Sequence, residues 1–141
     1  MGTLVKMPPR GHYLAWEAGQ LAGVSGHVIG QWARRGYIRA SQSEEIPKVY
    51  SFQDVAEAMV VHDLLVRGVT HRDIKRAIDA LHEYGDWPLS EAPLATTADG
   101  GRPRIVLREN GDAYALSPRG WQLMATPPPL DDVRLRLRRS R

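Results

Sequence analysis

Residues 18–38, AGQLAGVSGHVIGQWARRGYI, leave a chain few ways to fold. The central Gly23-Val24-Ser25 predicts a tight turn. Glycine tolerates the left-handed backbone that such turns demand, and a serine hydroxyl can bond the free N–H groups of a following helix. A first helix is expected near Ala15–Ala22. A second is expected from about Gly26 to Arg35, ending at Gly36 because glycine takes the left-handed position that closes a helix. On the second helix His27, Gln31 and Arg34 recur at i, i+4 and i+7, while Ile29, Trp32 and Ala33 fall on the other side. One face is built to pack and the other to meet something polar. A helix lying in a DNA major groove has that division of labour. The bland alternative is an ordinary helical hairpin inside a core.

Residues 37–40 and 48–51 predict two short strands joined by the polar loop SQSEEIP. Ser51 and Asp54 have the spacing of a capping box, opening a helix to about Arg67, and Thr70 with Asp73 repeats the device for a helix to about Tyr84. In that last helix Ile74, Ala77, Ile78 and Leu81 make one inward stripe.

The whole stretch from Tyr13 to Leu81 resembles the winged helix-turn-helix of the MerR superfamily. The resemblance rests on Leu21 with Gly23-Val24-Ser25, Ile29 with Trp32, Arg35-Gly36-Tyr37-Ile38, Val49-Tyr50-Ser51 with Asp54-Val55, and Gly68-Val69 followed by Ile74. It implies that the second helix enters the major groove, that a β-hairpin wing grips the flanking backbone, and that two further helices pack against the pair. The base-reading candidates are His27, Gln31 and Arg34, since Arg pairs bidentately with guanine and Gln with adenine. Ser25 and Arg35 on the recognition helix, and Arg39, Lys48 and Tyr50 on the wing, are the phosphate candidates. Trp32 reads as core rather than as a base-stacking residue. The chain departs from the family at three places. Gly30 and Gln31 stand where an Arg and a Tyr are usual. Gly19 replaces an Ala, at up to about 1 kcal/mol of helix propensity. The third departure suits a close approach of the two helices.

Composition narrows the function classes. At 43% hydrophobic and 25% charged residues, wholesale disorder is not expected. There are no cysteines, so neither a disulfide framework nor a thiolate metal site is available. The spacings among His62, His71 and His82 match no compact ligand set, and no metal or cofactor is expected. No nucleophile elbow, phosphate-binding loop or paired-histidine zinc motif occurs, so the chain is not expected to be an enzyme. No apolar run approaches a membrane span, and a cytosolic protein is the expectation. The net charge is only +3, yet five of the nineteen Lys and Arg fall in the last eight residues.

After Gly85 the helical period stops. Asn110-Gly111 lies between two β-rich runs and predicts a hairpin. Ile105 and Leu107 are expected on one face, with Val106 and Arg108 on the other. Residues 121–124 are expected to add a strand. The tail alternates Val133, Arg134, Leu135, Arg136, Leu137, Arg138, a strand pattern with one apolar and one basic face. The expected fold class is α+β. A flexible arm (1–12) precedes the winged helix-turn-helix domain (13–85), a small β-rich unit (86–129) and a basic tail (130–141). No long dimerising helix follows the DNA-binding part.

A DNA-binding head with a short basic end resembles small MerR-like antitoxins of the VapBC type. That likeness implies an autorepressor that acts as a homodimer on a double-stranded DNA operator. It also implies that the tail covers a toxin, such as a PIN-type ribonuclease whose carboxylates attract arginines. The alternatives are a stand-alone MerR-like regulator and an interaction adaptor that no longer binds DNA.

Overall fold

The computed structural model describes residues 11–85 and 88–133. Among them, four helices precede five strands: α1 (Ala15–Ala22), α2 (Gly26–Arg35), α3 (Phe52–Val66), α4 (His71–Gly85), β1 (Leu94–Thr97), β2 (Ile105–Glu109), β3 (Asp112–Ser117), β4 (Gly120–Leu123) and β5 (Leu130–Asp132). The protein is α+β. The described residues divide within α3 into two compact units, the first ending at Ala58 and the second beginning at Met59.

In the first unit, α1 and α2 have the expected bounds, and local chemistry sets each end. The Leu14 N–H donates to Glu17 Oε1 at 2.8 Å ahead of α1. Ser25 Oγ accepts from the Val28 N–H at 3.1 Å and opens α2. Gly36, at φ +84°, closes α2 as its N–H reaches the Ala33 carbonyl, and the Tyr37 N–H returns to Trp32. Ala18, Ala22, Ile29 and Trp32 are buried, so Trp32 belongs to the core as expected. A Cβ on Gly19 would stand 2.5 Å from the Val24 carbonyl oxygen and 2.9 Å from the Ser25 carbonyl carbon. The close approach that Gly19 permits is therefore to the turn before α2.

The stretch expected to form a two-stranded wing is paired much more sparsely. Ser43 and Val49 form a single bridge, and Tyr50 pairs with Tyr13, the two exchanging N–H···O bonds of 2.8 and 2.7 Å. Residues 37–40 form no strand, and Tyr37 and Ile38 are buried in succession rather than alternating as a one-sided strand would. A carboxylate secures the base of the loop. Asp54 Oδ2 accepts from the Ser41 N–H (2.8 Å), the Ser41 hydroxyl (2.6 Å) and the Ser51 N–H (2.8 Å). Ser51 Oγ accepts in turn from the Asp54 N–H at 3.0 Å, completing the expected capping box.

In the second unit, α4 buries Ile74, Ala77 and Leu81 completely and Ile78 in part. Thr70 Oγ1 accepts from the Asp73 N–H at 3.1 Å at its start. The sheet is antiparallel in the order β4-β3-β2-β1-β5. Asn110 and Gly111 both have positive φ, 55° and 84°, and join β2 to β3 across the Glu109–Asp112 pair as the Asn-Gly signal predicts. The register sets Ile105 and Leu107 on the face of Leu94. Val106 lies on the opposite face, where it clusters with Ala95 and Ala113 under Met124 and Leu130.

Two strands were not foreseen. All four residues of β1 are buried, so its sequence has no alternation to read. The three residues of β5 lie in what reads as the start of the tail. Arg67 holds β5: Nη1 donates to Thr96 Oγ1 (3.0 Å) and the Asp131 carbonyl (2.7 Å), and Nη2 to the Asp132 carbonyl (2.9 Å). Arg108 Nε adds a 2.7 Å bond to Asp132 Oδ1. The Val133 N–H donates to the Leu94 carbonyl at 2.9 Å, so the first residue of the alternating stretch continues β5. Arg134, Leu135, Arg136, Leu137 and Arg138 lie outside the described residues, as does most of the expected N-terminal arm.

Candidate nucleic-acid interface

Three features place the polar face of α2. The left-handed Gly23 ends α1, Ser25 starts α2 within three residues, and the missing side chain of Gly19 lets the turn lie against α1. Ile29 and Trp32 then anchor the inner side at 0% and 4% exposure. His27, Gln31 and Arg34 are consequently all exposed on the outer side, with Arg35 at the end of the helix. Their donors and acceptors suit base edges, and no acidic side chain interrupts the helix.

The expected phosphate contacts divide. Ser25, Arg35 and Arg39 are exposed and Lys48 is half-buried. Tyr50 corrects the expectation. It is 1% exposed, its backbone is spent on Tyr13, and it serves the core rather than a DNA backbone. Burial raises its phenol above the usual value of 10.0, with Asp54 and Glu44 adding and Arg34 opposing. Arg34 lies over Gly30, where a Cβ would meet Nη1 at 3.5 Å. Gly30 thus leaves open the space along which Arg34 extends. The loop tip carries Glu44, Glu45 and Ile46, all exposed, the last at 93%. The acidic tip is legible in SQSEEIP, but the position of Ser41 on Asp54, thirteen residues away, leaves no periodic trace.

The fold defines a class at this point: a tight helix-turn-helix whose second helix presents an exposed polar face, the layout of DNA-binding proteins that read a major groove. Residues 15–81 match the family described as MerR HTH family regulatory protein, a little under half of the chain. The match is to a regulatory DNA-binding family rather than to a class of enzymes, and it makes residues 15–81 similar to a MerR-type helix-turn-helix. No curated protein and no solved structure matches the chain. Among the described residues, no helix is long and apolar enough to cross a membrane.

Proposed function

We propose that the protein is a sequence-specific DNA-binding transcription regulator whose α2 reads the major groove through His27, Gln31 and Arg34. The family match over 15–81 carries the reading, and the shared exposure of those three side chains supports it. Arg35, Arg39 and Lys48 hold the flanking phosphates. The finer reading is autorepression by two copies on a palindromic operator, in keeping with the symmetry of such binders. Toxin capture rests on residues 133–138, of which all but Val133 lie outside the described residues, and no feature of the described ones favours it.

The test is selection of bound duplexes from a randomised pool, followed by titration of the selected site at several salt concentrations. Arg34→Ala and Gln31→Ala should each cost about 1–3 kcal/mol on the selected site and relax preference at one base position. Arg39→Ala should weaken binding alike on all sequences and reduce the salt slope by about one. A wild-type chain that holds random duplex as tightly as the selected one would end this reading.

A further inference from the structure

The DNA-binding reading does not use the outer side of α4. Arg72, Lys75, Arg76, Asp79 and Glu83 recur there at helical spacing, away from the buried Ile74, Ala77 and Leu81. On a lone helix such a stripe is a solvated face stabilised by i,i+4 pairs. Here it forms one wall of a groove of about 390 Å³, whose other wall is the turn between β3 and β4. That turn is internally bonded. Ser117 Oγ donates to the Gly120 carbonyl at 2.9 Å and accepts from the Arg119 N–H at 3.1 Å. Arg119 therefore lines the groove from a braced turn rather than from a loose loop.

The charges in the groove do not cancel. Lys75 and Asp79 neutralise each other at 3.1 Å. Arg76 gives Nη1 to Asp73 at 3.3 Å and keeps its remaining donors. Arg72 and Arg119 have no ion pair among the described residues. Two guanidinium groups and part of a third thus line one concavity with donors to spare. A guanidinium fork engages phosphate oxygens two at a time, a match that a lysine ammonium cannot make.

We propose that this groove binds a small phosphate-bearing metabolite, with Arg72, Arg76 and Arg119 holding its phosphate. A nucleic-acid backbone fits less well. The site is walled on two sides, and its volume is that of a small-ligand pocket, for which roughly 300–1,000 Å³ is usual. Asp79 and Glu83 also line it, and they would repel a row of phosphates while leaving room for one. Ala80 and Pro118 supply apolar surface for the rest of the ligand. The proposal is independent of which DNA sequence α2 reads.

The experiment titrates the full chain with inorganic pyrophosphate and, separately, adenosine monophosphate, following the backbone amide resonances of Ala80, Arg119 and Gly120. A short duplex of arbitrary sequence is the competitor. Saturable shifts confined to those amides are expected. An Arg72→Ser/Arg119→Ser double variant should bind about tenfold more weakly or worse, because charge-assisted bonds are lost. Both positions are exposed, so the variant should keep the wild-type spectrum elsewhere, and Arg102→Ser serves as the control that changes nothing. The proposal is overturned by the absence of a saturable shift with either probe, or by equal affinity in the double variant. Displacement of the probe by the duplex would also overturn it, making the groove a nucleic-acid contact.

Discussion

Both ends of α2 are closed by residues of the helix or beside it. Ser25 bonds Val28, and Gly36 and Tyr37 return to Ala33 and Trp32. In the C-terminal sheet β1 is completed by Leu107 on one side and Asp132 on the other, and an arginine beyond the end of α3 fastens β5. The first region assembles from neighbours in sequence. The second exists only once distant segments meet, and each closure of a longer loop adds an entropic cost that its contacts must offset. Regular spacing was consequently a reliable guide to α1 and α2 and a poor one to β1 and β5.

Asp54 blurs that division, and its removal should have the largest effect. The Ser51–Asp54 box looks local, yet the same carboxylate oxygen also holds Ser41. Asp54→Ala should cost about 2–4 kcal/mol in urea unfolding, because two serines lose a buried charged acceptor. A loss near 1 kcal/mol, typical of an ordinary cap, would return Asp54 to the local class.

Arg67→Ala tests the opposite pole. It should cost about 1–3 kcal/mol and speed amide exchange at Asp132 and Val133. Unchanged exchange there would mean that pairing with β1 alone holds the strand.

Two glycines set propensity directly against packing. Gly30 has only a flexible Arg34 terminus nearby, so Gly30→Ala should stabilise by about 0.5–1 kcal/mol. Propensity forecasts the same gain for Gly19→Ala. The Val24 carbonyl at 2.5 Å forecasts instead a loss of about 1–3 kcal/mol. Equal gains in thermal unfolding would show that the turn yields and that local rules suffice even here.

The smallest expected effect is on the two bridged tyrosines. Burial is the main cause of a raised phenol at both Tyr13 and Tyr50, helped by Glu17 at the former. A phenol whose folded pKa exceeds its unfolded value favours folding in the neutral form. That contribution is complete below about pH 10 and is lost as pH climbs through the folded value. The stability difference between wild type and Tyr50→Phe should hold from neutral pH to about 10 and shrink above it. A difference that stays flat in that alkaline range would mean the ring is as hydrated folded as unfolded.

The exposed polar face of α2 was as legible as the helix that carries it. His27, Gln31 and Arg34 share a face because a 3.6-residue period places them there, whatever surrounds the helix. Tyr50 was not legible: its residue type suits both a phosphate and a core, and only its 1% exposure distinguishes them. The groove on α4 was half legible. Its charged stripe follows from spacing, while the turn that faces it joins two strands far along the chain.

What this sequence determined by itself are the features whose partners lie within a helical turn or a two-residue loop. These are the bounds of α1 and α2, the two capped helix starts, the Asn110-Gly111 hairpin and the polar face of α2. Tertiary structure decided the thin pairing of the 37–51 stretch, the Asp54–Ser41 tie, the fully buried β1 and the seat of β5 under Arg67. Backbone geometry and caps act over a few residues and leave a period in the sequence. Burial on both faces and bonds between distant groups leave none.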